Sequence, residues 1–125
     1  MKTVIAIFAL LLPSTQSLAA VPDCSGPERW PTSMAFVELK NAGITTNDEL
    51  DFDKTRTVRL ASEKIGKDLY RQIHLVTFTQ KSGETIKVIT NNDASNEECS
   101  MSSVEVYIIS THLGEQLPPN PSLKR

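Results

Sequence analysis

The chain has 125 residues, of which 39% are hydrophobic and 22% are charged, and its formal net charge is −2. This length fits one domain, since a domain usually takes about 100–200 residues, and it leaves no room for a second folded domain. Two cysteines are too few for a disulfide-dense miniprotein. The slightly acidic charge argues against broad, non-specific binding to nucleic acid.

The first twenty residues have the pattern of a secretory signal peptide. Lys2 precedes an uncharged apolar run over positions 4–12, and a polar stretch then leads to the small residues Ala19 and Ala20. This order predicts cleavage after Ala19 or Ala20. The apolar run is about half the roughly 20 residues that span a bilayer. We therefore expect a soluble periplasmic or secreted protein without a membrane anchor, from a bacterial or a eukaryotic source.

Both cysteines, Cys24 and Cys99, lie in the predicted mature chain. In an oxidising compartment an even number of cysteines favours a disulfide. The bond would join positions 75 residues apart, and it would be worth roughly 4.5 kcal/mol in the chain-entropy model. The sequence has no Cys-x-x-Cys motif, so we interpret the bond as structural.

The mature chain begins with an extended segment and a short helix. Residues 21–31 are rich in proline and glycine, which predicts an irregular, pinned conformation. Thr32 or Ser33 then caps a helix that runs to about Ala42, and Gly43 follows as its stop signal. A polar, acidic connection over residues 45–53 comes next.

From position 55 the hydrophobic period changes to two, which is typical of strands. The last strand is apolar on both faces, so we place it centrally or under the helix. A long polar loop at 91–100 precedes it. Strands are predicted at 55–62, 69–79, 85–90 and 103–111, with turns at 64–67 and 81–84.

A helix over residues 62–74 is the competing interpretation, because Ala61, Ile65, Leu69 and Ile73 recur every four residues. Gly66 and the β-rich continuation favour the hairpin. The sequence therefore predicts an α+β domain over residues 21–115, in which one helix packs on a four-stranded antiparallel meander. Residues 116–125 are predicted to be a disordered, proline-rich tail.

Charge is segregated along the mature chain. Residues 23–53 hold seven acids and two bases, residues 54–87 hold eight bases and three acids, and residues 93–115 hold five acids and no base. Much of this fits pairing of opposite charges across a solvated sheet. Two acidic loops, one at residues 48–53 and one at residues 91–98, would also form a negative patch for a cationic protein partner, if they lie on one side of the fold.

The candidate binding residues lie in these two loops. Phe52 stands among four acids, where an aromatic side chain serves either as a binding anchor or as a core plug. The full set is Asp48, Glu49, Asp51, Phe52, Asp53, Asp93, Glu97 and Glu98.

The sequence carries no motif for nucleophilic, zinc or phosphate chemistry. His74 and His112 are lone histidines in or near strands, which favours structural roles. A calcium-like series of side chains, at alternate positions from Asn91 to Glu97, lacks the glycine and the final glutamate of a calcium loop. We therefore expect no cofactor, no metal and no catalytic activity.

These observations favour an exported protein that acts by binding. The most concrete hypothesis is a periplasmic inhibitor or immunity protein that occludes a cell-wall- or membrane-targeting enzyme with a cationic cleft. An envelope accessory or small-ligand-binding module is the alternative, and an exposed apolar patch around Tyr70, Val76 and Phe78 would favour it. An enzyme with an unrecognised site is the third possibility, and it would place His74 beside a carboxylate in a deep cleft.

Overall fold

The structure is a computed structural model that describes residues 20–109. One antiparallel sheet has the strand order β1-β2-β3-β4, and α1 contacts β2 and β3 on one side of it. The predicted α+β meander is confirmed, and so is the hairpin over residues 62–74. The elements are α1 (Trp30–Asn41), β1 (Leu50–Gly66), β2 (Leu69–Gln80), β3 (Thr85–Ala94) and β4 (Glu105–Ile109).

Two predicted segments fall mainly outside the described residues. The signal peptide lies there except for Ala20, and the proline-rich tail at 116–125 lies there entirely. Both stay predictions. Among the described residues, no helix has the length and apolar character that a membrane crossing requires.

α1 begins earlier than predicted, at Trp30, with Arg29 as its N-cap. Pro31 in the first turn explains the difference, because proline has the φ of a helix and its missing N–H is not needed there. Thr32 is therefore inside the helix instead of capping it. Its buried hydroxyl bonds Thr57 Oγ1 at 2.6 Å and donates to the carbonyl oxygen of Gly26 at 3.2 Å.

The end of α1 forms a Schellman motif, as the glycine predicted. Gly43 has φ +72°, and its N–H donates to Lys40 O at 3.0 Å, while Ile44 N–H donates to Leu39 O at 2.9 Å. These bonds satisfy carbonyl groups that the last helical turn leaves without partners.

β1 and β3 are longer than predicted. β1 starts at Leu50 instead of 55, because Leu50 is buried and pairs with Gln80. The strand also continues to Gly66, so the turn is confined to positions 67–68. β3 extends to Ala94, through residues predicted to be loop, because Asn92 packs inward and Asp93 is paired with Arg71 across the ladder.

We call the side of the sheet that carries α1 the covered face and the opposite side the open face. Under α1 the covered face is apolar, with side chains whose burial each contributes roughly 1.5–3 kcal/mol. Residues of β2 alternate between the two faces, so its even-numbered side chains point inward. The apolar core consists of Ala35, Leu39, Leu50, Val76, Phe78 and Val88.

Beyond α1 the covered face is polar and lies under the N-terminal segment, residues 20–29. Gln72 Nε2 donates to Pro22 O at 2.8 Å, and Arg59 Nη1 donates to the same oxygen at 2.9 Å. His74 and Thr90 are fully buried beside this contact. The carbonyl oxygen of Pro22 therefore accepts hydrogen bonds from two side chains of the polar half of the sheet.

The predicted disulfide is confirmed between Cys24 and Cys99, with a Cα–Cα distance of 5.7 Å. It joins the N-terminal segment to the loop between β3 and β4. In that loop the carbonyl oxygen of Cys99 accepts a hydrogen bond from Asn92 Nδ2 at 2.9 Å. The bond thus fixes the N-terminal segment over the polar half of the covered face.

β4 is an edge strand, so the first of its two predicted placements, a central position in the sheet, is wrong. The other predicted placement, under the helix, fits the covered face of β4 alone, where Val106 packs against the core. Its apolar side chains do not all become buried: Tyr107 is 57% exposed, Ile108 46% and Ile109 42%. Only Val106 packs against the core. A strand with apolar side chains on both faces is expected to be covered on both faces. The described residues cover only one face of β4.

Candidate functional site

The first acidic group lies at a bulge in β1. The register of β1 on β2 is regular at Asp51, which pairs with Thr79, and again at Arg56, which pairs with Thr77. Residues 52–55 of β1 therefore stand opposite Phe78 alone. A bulge of this kind bends the strand and redirects its side chains, and bulges are common beside functional sites.

The bulge opens a cleft between β1 and α1, which we call the bulge cleft. Its volume is about 590 Å³. Phe36 and Val37 of α1, together with Phe78 of β2, line its apolar part. Glu28 and Asp53 contribute carboxylate groups to its lining.

Phe52 is the exposed aromatic of this cleft. Its ring meets the Phe36 ring edge to face, with centroids 4.9 Å apart and planes at 84°, yet 46% of the residue stays exposed. Phe36 in turn contacts Phe78, with centroids 6.3 Å apart. Phe52 is thus neither a free anchor nor a core plug, because one edge is packed and the rest faces solvent.

The Phe36 ring already attracts a cation. Lys40 Nζ lies 5.3 Å from its centroid, within the range of a cation–π interaction. On the acidic side, Asp51 is paired with Lys54 at 3.5 Å. Within residues 20–109, the carboxylates of Glu28 and Asp53 have neither an ion pair nor a hydrogen bond, so both are available to a ligand.

The cleft also contains a polar group without a partner. The hydroxyl oxygen of Thr55 is inaccessible to solvent and makes no hydrogen bond with any described residue. Asp48 and Glu49 lie on the turn just before β1, both exposed, and Glu49 accepts a hydrogen bond from Thr45 Oγ1 at 3.4 Å. Five predicted binding residues therefore cluster at this end of the sheet.

The second acidic group lies at the opposite end of the sheet. Asp51 pairs with Thr79, whereas Asp93 pairs with Arg71, and the eight residue steps between these partners on β2 span about 26 Å. The two acidic loops thus do not form one continuous patch. The predicted negative patch required both acidic loops to lie on one side of the fold, and the structure separates them.

In the second group the carboxylates of Asp93 and Glu98 have hydrogen-bond partners within the chain, and Glu98 Oε2 accepts from Ser100 Oγ at 3.3 Å. Asp93 Oδ1 accepts from Arg71 Nε at 3.2 Å. Glu97 and Glu98 are exposed, but their backbone N–H groups both donate to Ser95 Oγ, at 3.2 and 3.1 Å. This loop is a compact turn, and it lines no apolar cleft of the described residues.

The patch that would favour a small-ligand module is not exposed. Tyr70 is 5% exposed, Phe78 1% and Val76 0%, because all three point to the covered face. His74 is likewise fully buried. Its surroundings lower its pKa, mainly through desolvation and further through Arg59, while Asp23 opposes the shift.

Sequence reasoning missed Glu28, Phe36 and Thr55 as members of the site. Their positions are up to 27 residues apart in the chain, and only the packing of α1 against the bulge brings them together. One local signal exists. The strand alternation fails at Asp51–Lys54, where three charged residues surround Phe52, and such a failure is typical of a bulge.

Comparison with known proteins adds no relative. No family model, no curated protein and no solved structure matches this chain. No group of His, Cys, Asp or Glu among residues 20–109 has the arrangement of a metal site. The bulge cleft therefore has to be interpreted from its own geometry.

Proposed function

We propose that this protein acts by binding and that its bulge cleft receives a basic side chain of a protein partner. The observation that carries the proposal is the half-exposed Phe52, which lies between apolar cleft walls and two carboxylates without partners. Aromatic and acidic groups side by side suit an arginine or a lysine better than any other side chain.

Both parts of a basic side chain find a counterpart in this cleft. The aliphatic stem of an arginine or lysine packs against apolar surface, which Phe36 and Val37 supply. Its charged head is attracted by Asp53 and Glu28 and by the ring of Phe52. Asp48 and Glu49 extend the negative field beyond the cleft, which raises the rate of association with a basic surface.

The biological form that we propose is an exported inhibitor or immunity protein. Its partner would be a cell-wall- or membrane-targeting enzyme with a cationic active-site cleft, which the acidic end of the sheet would occlude. The disulfide between Cys24 and Cys99 supports an oxidising compartment. The signal-peptide pattern before Ala20 supports export.

The test is a pull-down from envelope and secreted fractions with purified protein, at low and at high salt. We expect one stoichiometric partner that dissociates as salt rises. Replacing Asp48, Glu49, Asp51 and Asp53 by their amides should abolish capture without a change in thermal stability above that of a surface substitution. Phe52→Ala should also abolish capture, with a modest loss of thermal stability because its contact with Phe36 is removed. Glu97→Gln with Glu98→Gln is the matched control at the other end of the sheet.

Two results would overturn this proposal. Capture that survives the four amide substitutions removes the acidic end from the interface. Capture that is lost in the Glu97→Gln, Glu98→Gln control places the interface at the far loop.

A small-ligand-binding module is the second candidate. The volume of the cleft, about 590 Å³, lies in the range of pockets that hold small molecules. The same groups would then select a small organic cation with an apolar part. Native mass spectrometry of the purified protein distinguishes the two candidates, because a bound ligand adds a few hundred daltons that Phe52→Ala would remove.

A further inference from the structure

A second surface, separate from the bulge cleft, has the properties of an interface. The open face of the sheet carries an apolar row that crosses all four strands. Its members are direct neighbours in the ladder: Val58 pairs with Leu75, Leu75 with Ile89, and Ile89 with Tyr107. Val58 is 56% exposed and Tyr107 57%. Scattered exposed apolar residues are ordinary, but a contiguous row across a sheet marks an interaction site.

A second row, next to the first, extends this apolar surface. Next to the apolar row, Ala61 and Ile73 pair with each other, and Ile73 pairs with Asn91. The open face is therefore apolar across four strands in the first row and across β1 and β2 in the second, where β3 and β4 contribute the polar pair Asn91 and Glu105. No described element covers it, since α1 lies on the other side of the sheet.

The outer rows are charged with opposite signs. On one side of the apolar rows, Arg56 and Lys87 are both exposed and both pair with Thr77. On the other side, Glu63 and Asp93 both pair with Arg71, which leaves that row with a net charge of −1. The rows that flank the apolar rows are thus positive on the Thr77 side and negative on the Arg71 side, and Asp51, one row beyond Thr77, is acidic again.

We infer that the open face is the contact between two copies of this chain. A two-fold axis that lies in the interface, along the apolar rows, reverses the strand direction of the second copy. It sets Arg56 against Glu63 of that copy and Lys87 against its Asp93, while apolar rows meet at the centre. Such a contact is isologous and closes as a dimer, and two sheets pack face to face in this way at about 10 Å.

The size of the face sets the strength of the contact. Four strands about 4.8 Å apart and charged rows about 20 Å apart give a footprint on the order of 400 Å² per copy. Specific interfaces usually bury about 800 Å² of accessible surface per partner. We therefore expect a weak dimer, in exchange with the monomer at micromolar concentrations.

The charged pairs allow a sharp test. Arg56 and Glu63 pair with Thr77 and Arg71 of β2, six residues and about 20 Å apart, so they do not touch within one copy. Arg56→Glu alone should weaken the dimer about tenfold, since it faces Glu63 of the second copy. Adding Glu63→Arg to the same chain should restore the dimer, and only contact between copies explains such a rescue.

Sedimentation velocity of the purified full chain over a range of concentrations measures the dissociation constant. Val58→Lys and Tyr107→Lys should each yield a monomer with unchanged thermal unfolding, and Met101→Lys, in an exposed loop away from this face, is the control. A monomer at every concentration overturns the proposal. If the protein is a monomer and Val58→Lys also lowers its thermal stability, a segment of the same chain covers this face. That result overturns the proposal as well.

The inference is independent of the proposed function, because the bulge cleft lies between β1 and α1 on the covered side of the sheet. Phe52→Ala should leave the dimer intact, and Val58→Lys should leave capture of the basic partner intact. Failure of one proposal is therefore distinguishable from failure of the other.

Discussion

His74 is the most unusual single residue of the fold. Its side chain is fully buried, and neither ring nitrogen has a hydrogen-bond partner among the described residues. Burial disfavours the charged imidazolium and lowers the pKa of His74 below the ordinary 6.5. Arg59 strengthens the shift and Asp23 reduces it.

This lowered pKa makes stability depend on pH. Below pH 6.5 the unfolded chain takes up a proton that the folded chain does not, so the free energy of unfolding decreases as the pH falls, by as much as about 1.4 kcal/mol per pH unit. Well above pH 6.5 His74 is neutral in both states and contributes nothing to the pH dependence of stability. Urea unfolding of wild type and His74→Asn at pH 7.5, 6.5 and 5.5 measures the slope. The variant should be less stable at pH 7.5 but flatter below 6.5, and equal slopes would contradict this account.

Phe52 shows how a residue's environment resolves an ambiguity of sequence. An aromatic among acids is compatible with an anchor or with a core plug. The edge-to-face contact with Phe36 and the 46% exposure combine features of both. The contact orders the ring, and this ordering reduces the conformational entropy that a partner would have to remove.

At the scale of elements, the helix end was readable from sequence and the helix start was not. Gly43 adopts φ +72°, a region that β-carbon sterics close to most residues. At the other end, Thr32 has the chemistry of a cap, but Pro31 before it already belongs to the first turn. Packing against Thr57 decides the role of the Thr32 hydroxyl, and that partner is remote in sequence.

Gly43→Ala should lower the free energy of unfolding by about 1 kcal/mol. A β-carbon at position 43 meets no atom within 4 Å, so the cost is the strained backbone alone. Gly43→Asn should cost less, because asparagine tolerates this conformation best among the other residues. Thermal and urea unfolding of the two variants provide the measurement, and an alanine variant as stable as wild type would refute the argument.

β1 and β4 show why the sheet was only partly predictable. Alternation identifies a strand, but the bulge at 52–55 interrupts it, and the start of β1 was therefore read as a loop. β4 is apolar on both faces, which is compatible with a central position or with a position under the helix. Strand order depends on which strand edges pair with each other. The local sequence Val106–Ile109 does not indicate whether the strand lies at the edge or in the centre of the sheet.

At the scale of the whole molecule, the disulfide joins two segments that are far apart in the chain. Cys24 and Cys99 connect the N-terminal segment to the loop before β4, over the polar half of the covered face. The buried polar residues there, Gln72 and His74 among them, depend on this segment to exclude water, and Gln72 also donates to its Pro22 carbonyl oxygen. Stability and the burial of His74 are thus linked through one covalent bond.

Replacing both cysteines with serine should lower the free energy of unfolding by roughly 2–5 kcal/mol. Hydrogen exchange should also increase in residues 20–29 and at the end of β3, because the segment is then free to detach. Wild type under reducing conditions is the matched control and should show the same loss. An unchanged urea midpoint in both samples would mean that packing alone holds the segment.

What the sequence determined by itself is local. Hydrophobic alternation, turn residues and the glycine stop identify one helix and four strands, because these signals depend on backbone sterics and on which side chains avoid water. Two cysteines after a predicted signal peptide were enough to predict their pairing. None of these inferences needed to know where one element lies relative to another.

The tertiary structure alone decided the geometry of both proposed surfaces. It set the two acidic loops at opposite ends of the sheet, brought Glu28 and Phe36 to the bulge beside Asp53, and aligned Val58 with Tyr107 across four strands. The physical reason is that sites form between residues remote in sequence. Their proximity results from the packing and register of the whole chain, which are cooperative properties that no local window of sequence contains.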